Sequence, residues 1–231
     1  MLANTSNRYG QIARSFHWII AALIVVQYLL VQAAERAEEE GSAVAQIAHL
    51  ANHKSLGMTV LVLAVARLLC RWMMTSPEHH DLPRWQARAA SATHLGFYLL
   101  LFAIPVSGWL MSSAAAYSVS WFNVFSFPDL VSPSESLKHQ MYELHEWLTR
   151  LLLLLIAVHV LAALKHHWVD HDDILQRLFS WPWLLTAVVV IGLSAALWLM
   201  PASSQSDASN DQPNSTAETV SLLAGEPDGA E

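Results

Sequence analysis

The sequence is poor in cysteine and in charged residues. Cys70 is the single cysteine, so the chain cannot form an internal disulfide or hold a cysteine-ligated iron–sulfur cluster. Only 13% of the 231 residues are charged and 54% are hydrophobic, which is unlike a soluble domain of this length and unlike a disordered chain. No basic patch indicates nucleic-acid binding. The composition therefore predicts an integral membrane protein.

Five apolar runs account for this composition. Most of them approach or exceed the ~17–20 residues that a spanning helix needs. Helices are expected because the runs do not alternate and open β-structure would leave backbone groups unpaired in lipid. The second run is short and must extend back through His53 and forward through Trp72. The runs cover residues 16–33, 56–69, 95–111, 148–164 and 183–200.

Lysine and arginine are placed asymmetrically around these runs. They precede the first run, lie in the second connection and follow the fourth run, whereas glutamates dominate the first connection. By the positive-inside rule the N-terminus is cytoplasmic and the C-terminal tail is periplasmic. The first run is predicted to be a retained span and not a cleaved signal peptide, because it is long and contains His17 and Gln27. The connection 114–139 is predicted to lie on the membrane surface, with Trp121 and Phe122 at headgroup level.

Two of the twelve histidines, His145 and His159, lie in the stretch 144–167, which contains the fourth apolar run. In a helix, a step of fourteen residues places them within about 40° of one face and about 21 Å apart along the axis. Because a bilayer core is about 30 Å thick, one of them lies near each leaflet. In the predicted topology, His53 lies at the depth of His145, and His17 and His94 lie at the depth of His159. An ionisable group deep in an apolar run is costly and points to function.

Paired histidines at two depths suit two b-type haems, each with two axial imidazoles. His17 and His159 would hold the cytoplasmic-side haem, and His53 and His145 the periplasmic-side haem. His94 is then left over at the cytoplasmic-side level, close enough to line a quinone pocket.

Basic residues and glycines near these histidines suit the same cofactors. Gly57 and Gly108 would let a flat macrocycle approach the backbone, although helix packing explains them equally well. Haem propionates need cations, and the nearby cations are equally compatible with anchoring at the membrane surface. The candidates are Lys54 on the periplasmic side and Arg14, Arg67 and Arg71 on the cytoplasmic side.

Two alternatives stay open at this point. His49 shares the face of His53 one turn earlier and could replace it as a ligand. A zinc transporter would instead need ligands clustered at one level with acidic partners, which the two-level arrangement and the apolar spans argue against. The other histidines are expected at surfaces: His139 in a loop, and His79, His80, His166, His167 and His171 at the interface.

Four stretches resemble the bacterial cytochrome b561 family of di-haem, quinone-reactive membrane proteins. They are RYGQIARSFHW (8–18), HKSLGMTVLVLAVARLLCR (53–71), THLGFYLLLFAIPVSGWLM (93–111) and HEWLTRLLLLLIAVHVLAALKHHWVDHDDILQR (145–177). The resemblance implies a four-helix bundle with two haems b, in which His17 pairs with His159 and His53 with His145. The chain departs from the short family form after Arg177, where it adds an apolar run and a polar tail.

Pattern and resemblance together predict an all-α membrane protein of the bacterial inner membrane. A four-helix di-haem domain is expected over residues 1–178, an added spanning helix over 179–201, and a disordered periplasmic tail over 202–231. The expected function is that of a quinone-linked oxidoreductase, which transfers electrons through two bis-histidine haems b between a periplasmic donor and the quinone pool. Superoxide is a candidate donor, because one type of family member oxidises it. The alternative is a di-haem anchor that passes electrons between a separate redox subunit and quinone; the other expected partner is membrane lipid.

Overall fold

Four long helices dominate the computed structural model, which describes residues 10–73 and 83–171. They are α1 (Gln11–Glu39), α2 (Ala43–Met73), α3 (Arg84–Ala114) and α4 (Glu135–Trp168). At about 1.5 Å per residue each helix is about 44–51 Å long, more than a bilayer core requires. All four are long and apolar enough to cross a membrane. The prediction of four spanning helices is confirmed, and the predicted fifth span and tail lie outside the described residues.

A tight turn joins α1 to α2. The amide of Gly41 donates to the carbonyl of Glu38, and the amide of Ser42 donates to that of Ala37. Gly41 has a φ of +73°, the left-handed conformation that this type of helix C-terminus requires. The turn forces α1 and α2 to run antiparallel and side by side.

The buried core lies among the first three helices. α1 packs along α2, α3 packs along α4, and α2 also contacts α3. Ile20, Val60, Ala64 and Leu101 form the buried cluster at this junction. By contrast, Leu152 is the buried residue that α4 contributes within the described part of the chain. The apolar outer face of α4 is what a helix facing lipid is expected to show.

A two-stranded hairpin lies between α3 and α4. Its strands β1 (Val119–Trp121) and β2 (Phe125–Phe127) pair antiparallel, with Ser120 opposite Ser126. The turn residues Phe122 and Asn123 both have positive φ, 47° and 58°, as a type I′ turn demands.

The hairpin is fixed to α2 by side-chain hydrogen bonds. The buried Ser55 hydroxyl donates to the Ser120 carbonyl (2.9 Å) and accepts from the Phe122 amide (3.1 Å). The indole of Trp121 donates to the hydroxyl of Thr59 (3.0 Å). These bonds offset the strain of an aromatic residue at positive φ, which is unfavourable for a residue with a bulky side chain.

The connection between α3 and α4 is more ordered than the sequence indicated. Within the segment 114–139, which was expected to be a surface loop, the structure has the hairpin and the first turn of α4. Ser134 caps α4, and its hydroxyl accepts from the amide of Leu137 (3.3 Å). His139 was expected in a loop but lies on this helix, where its Nε2 is 3.2 Å from Glu143 Oε1 in an exposed pair.

Candidate functional site

Two of the histidines of α4, His145 and His159, each face a histidine of another helix. His145, near the start of α4, has its ring centre 6.3 Å from that of His53 on α2. His159, toward the end of α4, has its ring centre 6.3 Å from that of His17 on α1. The structure therefore brings together both predicted pairs at two levels of the bundle. In α2 the ring that meets His145 is that of His53, one turn farther along the helix than His49.

The spacing within each pair suits one metal ion held between two imidazoles. A metal–nitrogen bond is about 2.0 Å and a ring centre lies about 1.1 Å beyond its nitrogen, so opposed ligands have ring centres about 6.2 Å apart. The rings are inclined to one another by 76° in the His53–His145 pair and by 55° in the His17–His159 pair. Stacking of the rings on each other is therefore not the reason for their approach.

A third imidazole lies beside the His17–His159 pair. The ring centre of His94 on α3 is 6.2 Å from that of His159, the same separation as for His17. Phe97, one turn farther along α3, contacts the His159 ring edge to face at 5.3 Å. Within residues 10–73 and 83–171, no three His, Cys, Asp or Glu side chains are arranged to hold one metal ion. His17 and His94 are thus rival partners of His159 by ring distance alone.

The ring of His145 is oriented by α3. Its Nδ1 lies 2.9 Å from the carbonyl oxygen of Ile104 and 3.1 Å from the hydroxyl of Ser107. Because a carbonyl can only accept, Nδ1 carries the proton, and the lone pair of Nε2 remains available for a metal. Neither partner was predicted from the sequence, because both contacts join α3 to α4 across the bundle.

Gly108 allows this close approach of α3 and α4. A Cβ atom at Gly108 would lie 3.1 Å from Cε1 and 3.3 Å from Nδ1 of His145, tighter than ordinary van der Waals contact. Gly57 instead faces the side chain of Gln27, whose Nε2 would lie 3.1 Å from an added Cβ. For both glycines the sequence left open an approach by a macrocycle or the packing of helices; the nearest atoms in the structure are those of side chains on neighbouring helices.

The opposite imidazole, His53, is held less firmly. Its Nδ1 is buried without a hydrogen-bond partner of standard geometry, and the backbone of Gln27 lies beside it. The next residue, Lys54, places its ammonium group 5.3 Å from the ring centre of Tyr117. A cation therefore lies near His53, and its role toward a haem propionate stays a prediction.

One of the three arginines predicted for the cytoplasmic side, Arg67, lies near the His17–His159 pair. Arg67 on α2 is close enough to both histidines to interact with them electrostatically. Arg14 is partly buried, and its Nε has no hydrogen-bond partner in the described structure. Arg71 is exposed in the last turn of α2 and is the least suited of the three to a buried anion.

Comparison with known proteins adds a family assignment to this geometry. Residues 8–181 match the model of a family described as prokaryotic cytochrome b561. The chain is 34% identical over 180 residues to cytochrome b561 homolog 2 of Escherichia coli K12, covering 77% of this chain and 94% of the relative. It is 28% identical to cytochrome b561 homolog 1 of the same organism, covering 74% and 97%. It is 24% identical to a probable superoxide oxidase, CybB, of Yersinia pestis, covering 74% and 95%.

Proposed function

The chain belongs to the prokaryotic cytochrome b561 family, and on that premise we propose that it transfers electrons through two bis-histidine haems b between a periplasmic donor and quinone. Family membership itself establishes a multi-pass protein of the bacterial inner membrane that binds haem b and takes part in electron transport. The number of haems, their ligands, the donor and the quinone belong to the proposal.

The residues at both levels suit haem b. Each level offers two imidazole ligands, which is the ligand set of b-type electron carriers. Their ring centres are separated by the distance that one iron ion between them needs. His145 presents Nε2 because Nδ1 is engaged by Ile104. When bound, haem supplies one-electron chemistry at iron, and the protein supplies ligands, spacing and electrostatics. The repetition of the 6.3 Å spacing at two levels is the observation that carries the proposal.

We assign His17 as the ligand opposite His159 and His94 as part of a quinone pocket. The family resemblance favours His17, and the ring distances do not separate the two histidines. Quinone takes up two protons when it is fully reduced, so a residue near the cytoplasmic-side haem must deliver them. His94 fits this role because it adjoins His159 and an imidazole can both accept and donate a proton.

Superoxide is the donor that we propose for the periplasmic side. A relative that matches nearly its full length is named as a probable superoxide oxidase. In this chain, Lys54 places a positive charge beside His53, where it would attract an anion or hold a propionate. The proposal keeps a cytoplasmic N-terminus, a di-haem domain over residues 1–178, a spanning helix over 179–201 and a periplasmic tail beyond it.

The test uses the purified full-length protein in lipid nanodiscs. Reduced-minus-oxidised spectra should show b-type α-bands with two haems per chain, and enzymatically generated superoxide should drive ubiquinone reduction. His94→Ala should keep both haems and slow quinone reduction by about 10²-fold, the usual loss on removing a general acid. His139→Ala, on the exposed side of α4, is the matched control and should behave as wild type.

Two outcomes would contradict the proposal in different ways. Absence of b-type bands would refute the haem sites themselves. Normal bands with no quinone reduction from superoxide, but with reduction through a copurifying soluble subunit, would replace the superoxide route by the anchor alternative. Loss of a haem in His94→Ala would show that His94, and not His17, is the ligand opposite His159.

A further inference from the structure

We propose that Ser107 is a positioning residue which, together with the Ile104 carbonyl, lowers the reduction potential of the haem held by His145. The inference rests on the proposed function, because it requires His145 to be a haem ligand. It adds a residue that sets the properties of one haem and leaves the other unchanged.

Three short contacts link the side chain of Ser107 to the ring. The Ser107 hydroxyl donates to the Ile104 carbonyl (2.8 Å), and both oxygens lie within 3.1 Å of His145 Nδ1. The hydroxyl has one hydrogen, which it donates to the carbonyl, so a lone pair of the hydroxyl oxygen faces Nδ1. The Nδ1 proton is therefore shared between the carbonyl and the hydroxyl. Ser107 is 3% exposed, and hydrogen bonds at such a site are strengthened by the low local dielectric.

The local sequence of α3 makes this arrangement available. Pro105 lies inside the helix next to Ile104. Proline has no amide hydrogen and its ring crowds the carbonyl of Leu101 one turn earlier, so it loosens the turn of α3 that ends at Pro105. Gly108 then removes the side chain that would displace the imidazole. The segment IPVSG (104–108) thus supplies the acceptor, the loosened turn, the hydroxyl and the space.

The consequence for a bound haem is electronic. A hydrogen bond from Nδ1 makes the imidazole a stronger donor through Nε2. A stronger donor stabilises ferric iron over ferrous iron, so the potential falls. On the other side of the same site, the backbone of Gln27 lies beside His53 Nδ1, and no hydroxyl group meets that atom in the described part of the chain. The tuning by a hydroxyl at this level therefore comes from α3, and a lower potential favours onward release of an electron from the periplasmic-side haem.

The experiment is a spectroscopic redox titration of the purified full-length protein and its Ser107→Ala variant. The midpoint potential of one haem should rise and that of the other should stay within replicate error. Low-temperature electron paramagnetic resonance should show a change in one ferric signal only. Ser113→Ala is the matched control, since Ser113 is a buried serine of the same helix whose hydroxyl accepts from the Leu130 amide and does not reach a histidine.

A second variant covers the case in which Ser107→Ala loses haem. Ser107→Cys keeps the size of the side chain but offers a weak acceptor, so it should raise the same potential by a smaller amount. Two unchanged potentials in a variant that retains two haems per chain would overturn the inference and leave the proposed function intact. An equal shift of both haems, or the same shift in Ser113→Ala, would also overturn it. A wild-type chain without haem would instead refute the proposed function.

Discussion

Replacing Gly108 by alanine tests whether α3 and α4 are spaced to hold the His145 ring. The added Cβ would stand 3.1 Å from Cε1 and 3.3 Å from Nδ1, so the ring must move by a few tenths of an ångström. This movement stretches the 2.9 Å bond to Ile104 and turns Nε2 away from His53. Overpacking of this kind costs about 1–3 kcal/mol. At about 1.4 kcal/mol per factor of ten, haem affinity at this site should fall about 5- to 150-fold.

Gly96→Ala is the matched control on the same helix. Its Cβ would also meet an atom at 3.1 Å, but that atom is the terminal methyl of Leu155, which can rotate aside. Both variants gain similar helix propensity, so this contribution cancels in the comparison. The assay is haem transfer to apomyoglobin in detergent, followed spectroscopically. One haem of Gly108→Ala should leave faster than in Gly96→Ala, and equal rates in the two variants would refute the reasoning.

The remaining predictions concern the rival histidines, the hairpin and the end of α4. His17→Ala should lose one haem per chain by pyridine haemochromogen assay whereas His94→Ala keeps both, and the reverse result would exchange their roles. Ser55→Ala leaves the Phe122 amide without its acceptor and should destabilise the hairpin by about 1–3 kcal/mol. Hydrogen exchange of the hairpin amides should become faster, and unchanged exchange would contradict the role of this bond. The Lys165 ammonium holds the pKa of Asp170 below its ordinary value of 3.8, so this ion pair is intact above that pH and is lost as the pH falls through the lowered pKa. Acidification below 3.8 should lower the protection factors for hydrogen exchange at the end of α4, taken relative to the intrinsic rate at each pH, and the same acid transition in Asp170→Asn would contradict it.

Much of the site could be predicted from the sequence because it depends on helical periodicity. The step from His145 to His159 fixes two levels on one face, and antiparallel helices then place His53 and His17 at those levels. The need to extend the second apolar run was also predictable from bilayer thickness, and α2 does begin well before His53. Such inferences need no tertiary detail.

The features that the sequence left hidden depend on contacts between distant segments. The hairpin has an aromatic residue at positive φ, which local propensity disfavours, and it is held by Ser55, which is 67 positions away from Phe122. One partner of His145 Nδ1 is the backbone carbonyl of Ile104, and a backbone contact of this kind cannot be predicted from residue type. Likewise, depth alone could place His94 near His159 but could not show that its ring lies as close as that of His17.

If α4 contributes one axial ligand to each of two haems, then His145 and His159 are each required for a different haem. Haem content per chain should be measured in purified His145→Ala and His159→Ala, with His139→Ala on the same helix as control. We expect one haem in each of the first two variants, with different α-bands missing, and two haems in the control. Two haems retained in either the His145 or the His159 variant, or the same haem lost from both, would contradict it.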